Sequence, residues 1–243
     1  MKIVDAQWEI RNIGLKTLEI IFEDGSEMLP IQQMDSYQYI VSKVQSKEIK
    51  TIHLLEKNGF EFIESQLIIS KFIKGIKFDP FLARIASGYK IIEVETLDQL
   101  NIILHNINIG LFDTDRIYLD PILGKEKSIN RYKNWVTDIY NNKNNHKIFI
   151  ISKIKNDIDV GFISFKKKDK ENCEIPLVGI FEEYKKMKIG FLTVYFPLLY
   201  ALNNEFKFCH TAISLNNLNA VNLYSIFGYQ IDKTFSVLRK INQ

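Results

Sequence analysis

Residues able to do chemistry gather in one stretch, Val178-Gly-Ile180-Phe181-Glu-Glu-Tyr184-Lys185-Lys186-Met187-Lys188-Ile189-Gly190-Phe191. Val178 to Phe181 are apolar or small and read as the end of a buried strand. Glu182, Glu183 and Tyr184 turn the chain, three lysines surround the loop, and Gly190 opens a new apolar run. A helix starting there exposes unpaired backbone N–H groups and the positive end of its dipole, a ready anion site. Lysines around it add point charges suited to a polyphosphate. A solvated basic turn between strand and helix has the same composition, and a glycine-poor phosphate loop is a weak signal alone.

Other titratable residues fall on the elements beside this loop. Glu174 lies on the strand leading into it, and His210 on the strand Phe208 to Ser214. His210 has an unperturbed pKa suited to proton transfer. Both also read as ordinary solvent-facing strand residues. Asn217 starts a helix that Gly228 closes, and N-capping explains an asparagine there as well as ligand contact does.

The elements that must position these groups can be read in order. Lys16 to Glu23 forms a strand ended by Asp24-Gly25. From Asp35, apolar residues at Tyr37, Ile40, Val41 and Val44 recur at helical spacing. Ile49 to Lys57 is a second helix, stopped by Asn58-Gly59. Phe60 to Ser70 is strand-like, with Glu64 and Gln66 interrupting an apolar alternation. Gly75 to Gly88 is mixed, with a turn at Asp79-Pro80 and a domain boundary near Ser87-Gly88. Tyr89 to Val94 is a strand, and Thr96-Leu-Asp-Gln99 is a capping box for a helix to about Asn108. Phe112 to Gly124 reads as a loop. Lys125 to Tyr140 is a helix with Ile129, Tyr132, Val136 and Ile139 on one face, which makes Tyr132 and Trp135 core residues. A hairpin over Lys147–Ile154 and Asp159–Lys168 follows, then a strand over Glu174–Phe181. A helix spans about Ile189 to Asn203, and the chain ends in strand, helix and strand. Leu54-Leu-Glu-Lys-Asn-Gly59-Phe60 aligns without gaps on Leu223-Tyr224-Ser-Ile-Phe-Gly228-Tyr229, a degenerate internal repeat.

The chain's 243 residues are 46% hydrophobic and 25% charged, enough for one large domain or two small ones. A net charge of +3 is too mild to argue for nucleic acid. Two cysteines, Cys173 and Cys209, exclude a disulfide scaffold, and no Cys/His spacing suggests a metal site. With no apolar leader and no stretch long enough to span a bilayer, the expected location is cytoplasmic, away from the membrane.

From Tyr89 to Lys240 the order of elements and two motifs resemble the GNAT superfamily of acyl-CoA-dependent N-acetyltransferases. Lys185-Lys-Met-Lys-Ile-Gly190 occupies the place of that family's pyrophosphate loop, Q/R-x-x-G-x-G/A. Lys185 replaces the usual Gln or Arg, and Lys188 stands where glycine is common. Asn217-Leu-Asn-Ala220-Val-Asn-Leu-Tyr224-Ser-Ile-Phe-Gly228-Tyr229 is similar to N-x-x-A-x-x-L-Y-x-x-x-G-F. The resemblance implies an α/β (α+β) fold: a mixed central sheet flanked by helices over residues 88–243. Before it, residues 1–87 form a smaller, degenerate GNAT-like domain. Acetyl-CoA is the implied co-substrate, held by Val178, Ile180, Phe181, Lys185, Lys186, Met187, Lys188, Ile189, Gly190, Phe191 and Asn217. Tyr224 is the implied general acid for the thiolate, since a phenol with a pKa of about 10 stays protonated yet can donate. It also reads as a core tyrosine of an amphipathic helix. Glu174 and His210 are the alternatives for general base, beside a base-free route through ordered water.

Within the superfamily, Phe112-Asp113-Thr-Asp115-Arg116-Ile-Tyr-Leu-Asp120-Pro121, with Arg131, Tyr132 and Trp135, looks like bacterial TDP-fucosamine acetyltransferases. That likeness implies a nucleotide-linked amino sugar as acceptor, with Arg116 on the pyrophosphate and Asp113 or Asp115 orienting the amine. Capping of local turns explains the same aspartates. Two other readings stay open: acetylation of a peptide N-terminus or small polyamine, and a catalytically silent acyl-CoA-binding module. An exposed sheet edge makes a homodimer plausible.

Overall fold

A computed structural model describes residues 1–22, 29–108 and 111–242. The expected strand end at Asp24-Gly25 lies outside the described residues. Among them, the first part of the chain carries β1 (Lys2–Asp5), α1 (Trp8–Ile13), β2 (Thr17–Phe22), α2 (Ile31–Met34), β3 (Tyr39–Gln45), α3 (Ile49–Lys57), β4 (Glu61–Phe72) and α4 (Pro80–Ala86). The second carries β5 (Tyr89–Glu93), α5 (Leu97–Asn108), α6 (Arg116–Leu119), α7 (Gly124–Asn141), β6 (His146–Lys153), β7 (Asp159–Lys167), β8 (Asn172–Glu174) and β9 (Val178–Ile180). A 3₁₀ turn, Glu182–Met187, then leads to α8 (Leu192–Asn203), β10 (Phe208–Ser214), α9 (Leu218–Ile226) and β11 (Gln230–Ile241).

One mixed sheet joins these strands in the order β1-β2-β3-β11-β4-β10-β8-β7-β6-β5, with β9 paired to β7. Helices cover both faces, as the implied mixed sheet flanked by helices requires. α8 and α9 pack with β4, β7 and β10 around Ile69, Leu192, Leu198 and Ile213. On the opposite face α5 and α7 bury Ile103, Ile107, Val136 and Ile139 against β6 and β7. Ser87-Gly88 falls between α4 and β5, yet the sheet does not stop there. β4 lies between β10 and β11, and β11 lies between β3 and β4, so each part sends its last strand into the other. The repeated segments end α3 and α9 at Gly59 and Gly228, whose φ of 82° and 70° suit glycine, and they start β4 and β11. Those two strands pair antiparallel from Gln230↔Ser70 to Arg239↔Glu61.

Local chemistry accounts for most elements. The capping box forms as expected: Gln99 Oε1 accepts from Glu95 and Thr96 N–H, and Gln99 N–H donates to Thr96 Oγ1. Four expectations fail. Phe112 to Gly124 is not all loop, because the Asp115 carboxylate accepts from Tyr118 N–H and starts α6. The segment from Tyr39 is a strand, not a helix; β3 is flanked by β2 and β11 and largely buried, so its apolar run carries no period of two. Asp79-Pro80 is a helix start rather than a bare turn, because the Asp79 carboxylate caps Phe81 and Leu82 N–H and Pro80 sits at a position that needs no donor. The strand expected over Glu174–Phe181 is split in two, for a reason that makes the site. Among the described residues, no helix is long and apolar enough to cross a membrane.

Candidate active site

Two parallel strands start together and part. β8 pairs with β10 from Asn172↔Phe208 to Glu174↔His210. Ile175 N–H still donates to His210 O (2.9 Å), and Thr211 Oγ1 donates to Ile175 O (2.8 Å). Pro176 follows and has no N–H to continue the ladder. β7 then captures Leu177: its N–H donates to Ser164 Oγ (2.7 Å), and its carbonyl accepts from the Ser164 N–H (2.7 Å) and hydroxyl (2.9 Å). From there β9 pairs only with β7. The gap between β9 and β10 opens a cleft of about 390 Å³. β2 and β3, by contrast, stay paired in parallel from Thr17↔Tyr39 to Phe22↔Val44, so that part of the sheet has no such gap.

The same ladder sets where the freed backbone points. Phe181 N–H donates to Val160 O (2.9 Å), and alternate residues of an antiparallel pair turn their N–H groups outward, so Ile180 N–H faces the gap. Two glycines allow the close approach. A Cβ on Gly161 would lie 2.5 Å from Gly179 O, and one on Gly179 would meet Leu111 at 2.8 Å.

At the end of β9 the basic loop turns into α8. The backbone N–H groups of Ile189, Gly190 and Phe191 form no hydrogen bond among the described residues, leaving three donors beside a 12-residue helix's positive end. Lys188 ends the 3₁₀ turn in the left-handed region, φ 57°, the conformation glycine would adopt without strain. Lys185 is paired with Glu182 at 2.5 Å, while Lys186 and Met187 are exposed and Ile189 is buried. These residues fit a CoA pyrophosphate: backbone donors at the helix start with mobile cations around them.

Asn217, the N-cap of α9, and Tyr224, near the end of that helix, line the cleft with Glu174 and Val178. Asn217 is also the N-cap, its Oδ1 accepting from Ala220 N–H at 3.1 Å. Tyr224 is buried with its ring edge-on to Tyr229 (centroids 4.8 Å, 89°). Burial and then Cys209 raise the phenol's pKa, with the Thr211 hydroxyl opposing them, so it stays protonated. His210 is not in the cleft wall. Its Nε2 meets Asn172 Oδ1 at 3.0 Å and its Nδ1 lies 4.0 Å from Asp232, with burial and Lys168 lowering its pKa. Cys173 and Cys209 are direct neighbours on β8 and β10, both buried and free.

The far wall comes from the 112–116 segment and α7. Asp113 is exposed and outside the cleft. Asp115 lines it and caps α6, accepting from Tyr118 N–H (3.0 Å) and Ser128 Oγ (3.3 Å). Arg116 also lines it, but its side chain is only 10% exposed and paired with Glu9 at 3.2 Å, with Nη1 unpartnered. Glu9 binds Arg131 too, at 3.0 Å. Burial would raise the Glu9 pKa; Arg131 and Arg116 outweigh it and hold the carboxyl below its usual range. Phe112, Tyr132 and Trp135 form a stacked row (4.1 and 6.0 Å), with the Arg131 guanidinium 5.3 Å from the Trp135 ring. Trp135 is thus half-exposed wall, not core.

Sequence reasoning missed Glu9, Thr211, Ser164 and Glu64 as parts of this site, and named Arg131 only within the family likeness without a role. Only Glu64 left a signal, as a charge interrupting the apolar alternation of a strand. A larger cavity, about 700 Å³, lies between α4 and the end of α9. It holds none of the residues singled out for chemistry.

The central mixed sheet flanked by helices matches the fold of solved GCN5-related N-acetyltransferases. No protein-family model matches the sequence, and no curated protein does. Three solved structures resemble the chain in fold. A GCN5-related N-acetyltransferase from Sphaerobacter thermophilus matches with TM-score 0.58 and 10% identity, over 84% of this chain and 59% of that one. A tandem GNAT protein from the clavulanic acid biosynthesis pathway matches with TM-score 0.54 and 10% identity, over 87% and 66%. A functionally unknown conserved protein from Staphylococcus epidermidis matches with TM-score 0.62 and 14% identity, over 93% and 84%. The chain therefore spans less than two thirds of the first two.

Proposed function

We propose that this chain transfers an acetyl group from acetyl-CoA to a primary amine in the cleft between β9 and β10. The parting of those strands at Pro176, in a cleft that Tyr224 lines and on the strand that leads into the basic loop, carries this reading. In it the pyrophosphate binds the N–H groups of residues 189–191, and the pantetheine arm completes the broken ladder along β9. Ile180 N–H then donates to the thioester oxygen as negative charge develops there. Amine nitrogen and carbonyl carbon are held together, Tyr224 protonates the departing sulfur, and Glu174 stands within the same wall. Burial raises a thiol's pKa for the reason it raises the phenol's, so the difference between the two governs the proton transfer.

For the acceptor we propose a nucleotide-linked amino-deoxy sugar of the dTDP-4-amino-4,6-dideoxyhexose type. The stacked row of Phe112, Tyr132 and Trp135 offers a flat surface to a base, and Arg131 with the unpartnered Nη1 of Arg116 offers donors to a diphosphate. A small polyamine is the second reading, favoured because Glu64 and Glu174 in the cleft form no ion pair among the described residues.

The test is CoA release from acetyl-CoA with five acceptors. They are both dTDP-4-amino-4,6-dideoxyhexose epimers, a UDP-linked counterpart, spermidine and a peptide with a free N-terminus. Turnover confined to a nucleotide sugar supports the full reading, and turnover on spermidine alone replaces the acceptor. Acetyl-CoA binding without any turnover would point to the silent module.

A further inference from the structure

One carboxyl in the cleft belongs to the other half of the molecule. Glu64 sits on β4, the strand that the first part of the chain inserts beside β10. Glu64, Gln66 and Ile68 turn alternately to the cleft, while Leu67 and Ile69 turn into the core. Glu64 is 2% exposed, and its Oε2 has no hydrogen-bond partner among the described residues. A buried ionisable group is normally paired. The cations around it pair elsewhere: Lys43 with Glu19 at 2.6 Å, and Arg116 and Arg131 with Glu9, although Arg116 keeps its Nη1 unpartnered. Lys43 and Glu64 flank Val237 across β3, β11 and β4, and the lysine pairs with Glu19 on β2.

Resting on the acetyl-transfer reading, we propose that Glu64 is the catalytic base, a group from the N-terminal half that receives the acceptor's ammonium and takes its proton. The vacant oxygen is the counter-charge that an incoming cation would satisfy. Burial raises the carboxyl's pKa, the Ser214 hydroxyl opposes this, Asp115 adds to it, and Arg116 and Lys43 pull it back; Arg131 and Tyr132 of α7, Glu174 of β8 and Tyr224 of α9 are the other charged and titratable groups of the cleft wall. A carboxyl displaced in that direction is better matched to abstracting a proton near neutral pH.

The protons and electrons balance as follows. R–NH₃⁺ gives one proton to the Glu64 carboxylate. The neutral nitrogen forms a bond to the thioester carbon, and the C–S bond then breaks with its electron pair on sulfur. Tyr224 protonates the sulfur and regains a proton, by way of solvent, from the surplus N–H of the tetrahedral intermediate. Glu64 returns its proton to solvent. Products are the amide, the CoA thiol and one H⁺.

The experiment is Glu64→Gln, assayed with whichever of the five acceptors the wild type turns over fastest. We expect kcat/KM for the amine to fall by about 100-fold or more, and the acidic limb of its pH profile to vanish. The acetyl-CoA Kd should stay within about twofold and the Tm should hold or rise, since an unpaired buried carboxyl has gone. Glu64→Asp, which withdraws the carboxylate by one methylene, should keep the acidic limb at a lowered rate. A structural role predicts the opposite, a lower Tm with both substrates weakened, and that result overturns the proposal. So does a folded Glu64→Gln within about threefold of wild type with its acidic limb intact, which leaves acetyl transfer standing. A wild type inactive on all five acceptors removes the acetyl-transfer reading and this proposal together.

Discussion

Glu9→Gln is the perturbation whose size the structure sets most directly. Glu9 is 1% exposed and is shared by Arg116 at 3.2 Å and Arg131 at 3.0 Å, which ties α1 to the cleft's far wall. The substitution keeps the volume and removes the charge. Arg116, with Nη1 already unpartnered, then has no carboxylate at salt-bridge distance among the described residues, whereas Arg131 keeps Asp115 at 3.9 Å. Removing one partner of a buried pair costs about 3–5 kcal/mol. The glutamine carbonyl still accepts one hydrogen bond, worth about 1 kcal/mol, which favours the lower end. At about 2–4 °C per kcal/mol for a chain of this size, the Tm should fall by roughly 6–12 °C. With a urea m-value of about 3 kcal/mol/M, the midpoint should drop by about 1 M.

The control is Asp138→Asn, which breaks the shorter but half-exposed Arg11–Asp138 pair (2.5 Å, side chains 53% and 50% exposed). An exposed pair contributes only about 0–1 kcal/mol, so distance alone would rank the two the wrong way. The pH dependence has a definite sign. The folded pKa of Glu9 lies below its unfolded value, so its contribution is present above about pH 4.5 and is lost as pH falls through the folded pKa. The gap between wild type and Glu9→Gln should therefore close in acid. A loss under about 1 kcal/mol at pH 7, or one equal to the control, would refute the reasoning.

Other outcomes follow from the same geometry. Tyr224→Phe keeps the buried ring and loses the proton donor, so kcat should fall by about 10²–10⁴-fold, acetyl-CoA Kd should barely move, and stability should drop by about 1 kcal/mol; an unchanged chemical step would remove Tyr224 from the mechanism. Gly161→Ala puts a methyl 2.5 Å from Gly179 O and must push β9 aside, costing about 1–3 kcal/mol and weakening acetyl-CoA binding; calorimetric affinity equal to wild type would argue against Ile180's placement. Lys188→Gly relieves a left-handed residue, and after the entropy of a freer unfolded chain should gain about 0.5–1 kcal/mol. Acetyl-CoA titration of that variant should show affinity kept, because the backbone amides of residues 189–191 are unaltered.

What the sequence determined by itself is local or periodic. The α5 capping box, the glycine stops of α3 and α9, the apolar faces of α5 and α7 and the strand–loop–helix around Lys185 to Gly190 follow from residues a few positions apart. So did the superfamily likeness, carried by that loop and by Asn217 to Tyr229. What the tertiary structure alone decided is who faces whom. β3 resembled a helix because a strand buried between two others need not alternate. The β8–β9 break needed Ser164 and Thr211, from strands far apart in sequence, to act on either side of Pro176. Arg116 reads as a free phosphate binder until Glu9, 107 residues earlier, is seen to hold it. Glu64 enters the cleft only because β4 crosses into the other half's sheet, and strand exchange is set by long-range pairing energies that no short window contains.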